Sequence, residues 1–299
     1  MNPLAALALT AYRYATRGLR ETWMEHLGRQ GRAPVCGLFY HRVADDHPNG
    51  WTIGRDAFRR QLDWLSERFE VVSLVEARRR LVTEDSRRPS VVITFDDGYA
   101  DNMDFALPLL VERGLPATYF VTTENIAQQR PFPHDIAAGV PLKPNTVADL
   151  RRIADSGVEV AAHTLTHPDL GAVDDERLER EIRDSFRQVA EWIGKPVRSF
   201  AFPFGLPTNM SSLGMQIARD AGAQMICSAY GGYNFPGEVV DHGGAIHFRR
   251  CHADPDWPRF LNKMTFDPRS LDRGEPIDDA AWLDVVVPTA ANPTVEAVL

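Results

Sequence analysis

Cysteine is scarce in this sequence: Cys36, Cys227 and Cys251 are the whole complement of 299 residues. They lie far apart and make no C-x-x-C spacing, which excludes a disulfide framework. Two of them fall in apolar runs that read as buried strands, so a reducing compartment fits best. Positive charge is also short. Lys and Arg number 33 against 41 Asp and Glu, a net −8, and no phosphate-neutralising surface follows, which excludes nucleic acid as the main partner. Long hydrophobic runs are missing as well. The most suggestive stretch, "MNPLAALALTAY" at the N-terminus, has no basic region before it and is soon interrupted by Arg13 and Arg17. It is too short to span a bilayer and a poor secretory signal. With no export signal read, the expected location is cytoplasmic, with the inner membrane surface as an alternative placement.

What the chain does contain is core. Hydrophobic residues make up 44% and charged residues 25%, the profile of a soluble globular protein with one large α/β domain or two small ones. Residues 1–33 read as an amphipathic helical extension. Leu4, Ala8, Ala11, Ala15, Leu19, Trp23 and Leu27 fall near one face, and Arg13, Arg17 and Arg20 lie largely away from it. Five arginines and two glutamates give this segment a local +3 within an acidic chain. Two readings follow: packing on the protein's own domain, or peripheral membrane contact.

From residue 35 onward, short apolar runs alternate with amphipathic stretches. Strands are expected at 34–40, 71–73, 90–95, 116–121, 158–162, 197–202, 223–229 and 245–251. Helices start at Ser73 and Thr146, and the longest begins at Asp174 and stops at Gly194. Repeated β-then-α units imply a largely parallel sheet, either open and doubly wound or closed into a barrel. Residues 124–145 form a Pro-rich connection too long for a plain turn, the kind that often serves as a lid, with disorder as the alternative. The tail 288–299 is small, apolar and without helix caps, so loose order is expected there.

Four stretches sit where expected strands stop: Tyr40-His41, Asp96-Asp97-Gly98, the "HTLTH" of residues 163–167, and Phe202-Pro203-Phe204-Gly205. In a β/α barrel the strand ends share one face, where chemistry collects. HTLTH places two imidazoles four residues apart, close enough to reach one ion. With a carboxylate and an open position for water, that is a catalytic zinc arrangement. The adjacent aspartates then divide their labour, one ligating the ion and the other accepting a proton from water.

"TFDDGYADN", "HTLTHP" and "RSFAFPFG", in this order and spacing, resemble the polysaccharide deacetylase family, also called the NodB homology domain or carbohydrate esterase family 4. The resemblance covers roughly residues 35 to 252. It implies a distorted, TIM-like (β/α) barrel of about seven parallel strands, a single domain over 34–287 behind the helical extension. It also implies metal-dependent removal of N-acetyl groups from amino sugars. By the resemblance, Asp96 is the catalytic base, Asp97, His163 and His167 hold a divalent metal ion, most simply Zn2+, and the main-chain N–H of Phe204 is an oxyanion donor.

Three positions depart from the family pattern. Ala201 stands where many members have an arginine that pairs with the base, and Arg250 on the last strand, or its neighbour Arg249, is the expected replacement. Ser228 falls near the position of an aspartate that supports the general acid. The family's late histidine has no clear match, although His252, His247 and His41 are near enough to be candidates. Tyr99, Phe204 and Trp257 are candidate sugar-stacking rings, and the "YGGYNFPG" loop of residues 230–237 is a candidate border of the pocket. The expected activity is N-deacetylation of an amino-sugar glycan or its precursor in bacterial polysaccharide or glycolipid biosynthesis. The alternatives are deacylation of an O-acetyl ester, formamide or non-sugar amide, and, from another class, a catalytically silent glycan-binding protein.

Overall fold

The computed structural model describes residues 2–266, so the tail 288–299 and the expected domain limit at residue 287 lie outside the described residues. After α1 (Pro3–Arg29) the chain enters β1 (Val35–Tyr40). A short parallel pair follows, β2 (Arg42–Val43) with β3 (Thr52–Ile53), and then α2 (Arg55–Arg68). Next come β4 (Glu70–Val71), α3 (Leu74–Val82), β5 (Ser90–Phe95), α4 (Ala106–Glu112) and β6 (Thr118–Val121). Three helices, α5 (Thr123–Gln128), α6 (Pro133–Ala137) and α7 (Val147–Asp155), separate β6 from β7 (Glu159–Ala162). Then α8 (Asp175–Ile193) leads to β8 (Ser199–Ala201), and α9 (Ser212–Asp220) to β9 (Met225–Cys227). The described chain finishes with β10 (Tyr233–Asn234), β11 (Ile246–Phe248), β12 (Cys251–His252) and α10 (Trp257–Met264).

The sheet resolves the choice between open and closed. Parallel neighbours run in the order β1, β5, β6, β7, β8, β9, β11, which is the expected set of about seven. Only Arg249 and Arg250 separate β11, at one edge, from β12, which pairs with Leu38 and Phe39 of β1 at the other edge. The chain itself therefore carries one edge of the sheet back to the other and all but closes a barrel. Period-two alternation then sorts the strand residues. Val35, Val92, Phe120, Ala161, Ala201, Cys227, Ile246 and Phe248 form one apolar cluster. Their opposite-parity neighbours, such as Leu38, Ile93, Tyr119, Val160 and Ile226, join a larger cluster with the helices.

Two expectations need correction. From Leu4 to Leu19 the Leu/Ala face of α1 is the solvent-facing one, with Leu4 75% and Leu19 77% exposed, while Trp23 and Leu27 of the same face pack on the core. The inward face carries Met24 together with Arg20, which is buried and donates to the Asn262 carbonyl, the Asn262 side chain and the Thr265 carbonyl at the end of α10. Alanines gain little from burial, so they did not decide which way the helix turned. The carbonyls at the α10 C-terminus supply acceptors and the negative end of a helix dipole, and they drew the guanidinium inward. Secondly, the YGGYNFPG loop does not border the pocket with its second tyrosine. Tyr233 and Asn234 form β10 and pair antiparallel with Cys36 and Val35, at the end of β1 remote from His41.

Candidate active site

The shared end of the parallel strands brings the four stretches together. Adjacent residues of a strand point to opposite faces, yet Asp96 and Asp97 converge because Asp97 leaves the strand in the left-handed region (φ 74), followed by Gly98 (φ 88). A Cβ on Gly98 would press on Val121 and Ile126 at 3.2 and 3.3 Å. Thr164 (φ 67), His167 (φ 59) and Phe204 (φ 59) are also left-handed. Strained backbone of this kind gathers where side chains must be aimed.

Asp97 faces both histidines of HTLTH. Its Oδ1 lies 3.6 Å from His163 Nε2 and 3.3 Å from His167 Nε2. Among the described residues these three side chains form a group whose ligating atoms all lie within 4.8 Å of one another. Two details fit a cation. Asp97 Oδ1 is buried and takes no hydrogen bond, an arrangement that costs free energy unless something positive completes it. His163 Nδ1 lies 2.7 Å from the Ala201 carbonyl, which can only accept. The N–H is therefore at Nδ1, and the Nε2 lone pair is left facing Asp97. Burial pushes the His167 imidazole down to about 4, against the pull of Asp97, so its ring is neutral and able to ligate near pH 7. The segment is braced from α8. Buried Glu181 accepts the Leu165 and Thr166 N–H groups at 3.0 and 2.9 Å and the Thr166 hydroxyl at 2.6 Å.

Asp96 is held apart from this trio. Arg250 donates from Nη1 to its Oδ1 at 2.7 Å and from Nη2 to its Oδ2 at 2.9 Å, a two-pronged pair in which both residues are buried. The guanidinium is fixed by Thr94 Oγ1 (2.8 Å) and the Ser228 carbonyl (2.9 Å), and it lies over the rings of Phe39 and Phe120. Burial alone would raise the Asp96 carboxyl, but Arg250, His163 and His41 outweigh it and hold it below the usual carboxylate range. Asp96 is therefore ionised at neutral pH. The arginine at this carboxylate thus comes from the barrel seam, while Ala201 stays a small interior residue.

A cavity of about 270 Å³ opens over these groups. His41 lines it, with Nε2 4.0 Å from Asp97 Oδ2. Phe204 is 56% exposed beside the His167 ring, at 5.0 Å between centroids. Among the described residues no acceptor takes the Phe204 N–H. Other candidates sit elsewhere. Tyr99 is fully buried and gives its hydroxyl to Asp135, so it offers no sugar-stacking face. Trp257 packs against Trp64, Phe260 and Arg60, away from the cavity. His252 packs on Phe39, its ring centroid 6.1 Å from that of His41, and burial beside His41 and Lys263 pushes it down to about 4. His247 packs on Tyr230, and Arg249 accepts Asn234 at its carbonyl; neither lines the cavity. Sequence reasoning passed over Trp51 and His134, which do line it. Trp51 precedes a two-residue strand and His134 sits in the Pro-rich connection, so neither carried a periodic signal. Glu181 carried no sequence signal to set it apart from the other acids of the long helix.

Comparison with known proteins agrees with this geometry. The family described as polysaccharide deacetylase matches residues 83–226. Polysaccharide deacetylase YxkH of Bacillus subtilis (strain 168) is 26% identical over 222 residues, 73% of this chain and 71% of its own. The chitooligosaccharide deacetylase of Rhizobium leguminosarum bv. phaseoli is 35% identical over 103 residues. That match covers 34% of this chain and 38% of the relative, so the likeness to it is partial. Among solved structures, the Streptococcus pyogenes deacetylase PplD superimposes with a TM-score of 0.65 at 20% identity, over 79% of this chain and all of that one. With the motifs, the barrel and these relatives in agreement, residues 83–226 belong to the polysaccharide deacetylase family, and the likeness to its members extends over most of the barrel.

Proposed function

We propose that this deacetylase removes N-acetyl groups from an amino-sugar glycan or its precursor in polysaccharide or glycolipid biosynthesis, and that it does so with a divalent ion, Zn2+ by the chemistry of its donors. The observation that carries the reading is the division between the two aspartates. Asp97 Oδ1 lies unpartnered against two Nε2 atoms, while Asp96 beside it is kept off them by Arg250. One carboxylate and two imidazoles are a catalytic zinc donor set that leaves a position open. An ion held by Asp97, His163 and His167 supplies a more acidic water and a polarised amide carbonyl.

The chain's own residues do the remaining work. Asp96, ionised and buried within the cavity wall, accepts the proton of the attacking water and can return it to the amine nitrogen as the carbon–nitrogen bond breaks and acetate leaves. Arg250 fixes both of its oxygens, so the carboxylate keeps one orientation as it takes up the proton. The Phe204 N–H, with no internal acceptor, donates to the oxygen that gains charge at the amide carbon. The exposed Phe204 ring offers a flat apolar wall to one face of a pyranose. The Arg250 pairing also weakens the silent-binder alternative, which was motivated by the missing arginine at Ala201.

The test is metal analysis of the purified protein joined to acetate release from N-acetylated chitin oligomers. Asp96→Asn should keep the metal and lose about 100-fold or more of turnover, while Asp97→Ala and His163→Ala should lose both. If the protein takes up no divalent metal and stays inactive after zinc is added back, the reading fails. Turnover of O-acetyl esters with none of N-acetyl sugars would move the substrate to the ester alternative.

A further inference from the structure

His134 is the one cavity-lining side chain whose back is wired to a buried acid outside the Asp97 group. Its Nε2 lies 3.0 Å from the Tyr99 hydroxyl, and that hydroxyl lies 3.0 Å from Asp135 Oδ2. Asp135 and Tyr99 are both buried. A carboxylate only accepts, so the Tyr99 O–H donates to Asp135 and the phenolic oxygen takes the Nε2–H of His134. This fixes the tautomer: in the neutral ring Nδ1 carries the lone pair, and no protein group among those described engages it. The ring plane is fixed too. Phe132 stacks beneath it at 5.4 Å and 14°, and Trp51 meets it edge-on at 5.0 Å and 79°. Phe132 in turn edges His167 at 5.7 Å.

Burying a carboxylate costs free energy, and here its hydrogen bond goes to a tyrosine whose other partner is a half-exposed imidazole. A structural histidine at a cavity mouth needs no such support. The relay has the form of an orienting device, in which one group sets the tautomer and direction of the next. The distance matters as well. His134 stands one aromatic ring, that of Phe132, beyond His167, and so lines the cavity to the side of the Asp97 group.

We infer that His134 is a substrate-positioning residue whose Nδ1 hydrogen-bonds a ring hydroxyl of the acetylated amino sugar, with Tyr99 and Asp135 holding it in that tautomer and Trp51 and Phe132 fixing its plane. The inference rests on the amino-sugar reading above, which it deepens by naming a recognition point for a hydroxyl-bearing ring. A bond of this kind acts in binding before it acts in chemistry, so its loss raises KM more than it lowers kcat.

The experiment compares two substrates on the metal-loaded protein: an N-acetylated chitin oligomer and nitrophenyl acetate, which has no ring hydroxyl. His134→Ala should raise KM for the oligomer about tenfold, with kcat, metal content and ester hydrolysis near wild type. His134→Asn, which puts an amide atom near the place of Nδ1, should recover part of the loss. Tyr99→Phe should shift KM in the same direction by less. Unchanged KM in His134→Ala, or an equal fall in kcat on both substrates, overturns the assignment while the amino-sugar reading stands. A wild-type protein that cleaves the ester and no N-acetyl sugar overturns both.

Discussion

At the scale of single residues, the site is organised by where buried charge finds a partner. Asp96 and Arg250 are both shielded from solvent and bonded at 2.7 and 2.9 Å. Removing one member strands the other, which in buried pairs costs about 3–5 kcal/mol. Arg250→Ala should therefore lower unfolding stability by that order in urea and reduce turnover, with bound metal unchanged; wild-type stability would show that Asp96 does not depend on the pair. Glu159, at the opposite end of the strands, illustrates the reverse case. The hydroxyls of Ser199 and Thr118 donate to it at 2.7 and 2.8 Å, yet burial outweighs them and raises its carboxyl. An acid raised in the folded state binds its proton more tightly when folded. Its stabilising contribution is then present below the unfolded value of about 4.3 and lost as pH rises through the folded value. Glu159→Gln should accordingly compare more favourably with wild type at pH 8 than at pH 4. Denaturation at both pH values checks this, and an equal difference at the two would remove the argument.

At the scale of elements, the aim of HTLTH depends on a helix that contributes no ligand. Glu181 of α8 takes two N–H groups and a hydroxyl from Leu165 and Thr166, and thereby sets the turn between the two histidines. Glu181→Ala should weaken metal affinity by about 10–100-fold, the usual effect of losing an outer support, as read by competitive metal titration. Unaltered affinity would assign Glu181 to folding alone. That support was illegible in the sequence, because a glutamate on an acidic amphipathic helix looks the same whether it meets solvent or a neighbouring loop. Legibility elsewhere followed the range of the forces involved. Strand β5 was expected at 90–95 and runs Ser90–Phe95, because a β-branched run ended by Asp-Asp-Gly is a local signal. The aspartates and HTLTH were legible because strand ends in a parallel sheet share one side. His134 and Trp51 were not, since only folding brings the 124–145 connection and the segment before β3 together at the cavity. On α1 the wheel of apolar residues held for Trp23 and Leu27 but not for Leu4 to Leu19, and carbonyls at the end of α10, more than two hundred residues distant, drew Arg20 inward.

At the scale of the whole molecule, closing the barrel and completing the site are one event. The strand that leaves the far edge as β11 returns to β1 as β12, and the two-residue step between them, Arg249-Arg250, delivers the guanidinium to Asp96. Gly37 of β1 makes the step fit. A Cβ there would lie 2.5 Å from the Arg249 carbonyl oxygen, 2.8 Å from the Phe248 ring and 2.9 Å from Arg250 Cγ. Its backbone is not left-handed, so an alanine at this position meets only a lack of room. Gly37→Ala should therefore push the seam away from β1, draw Arg250 off Asp96 and lower turnover by more than any loss of metal explains. A matched control is Gly18→Ala on α1, where nothing lies within 4 Å of the added Cβ; a helical glycine in open space should tolerate alanine or gain about 0.5–1 kcal/mol from it. A double-mutant cycle separates seam from site. If Gly37 acts through Arg250, then Gly37→Ala in an Arg250→Ala background should cost less turnover than in the wild type, with a coupling of about 1 kcal/mol or more. Additive losses would mean that the barrel closes independently of the carboxylate it is argued to serve.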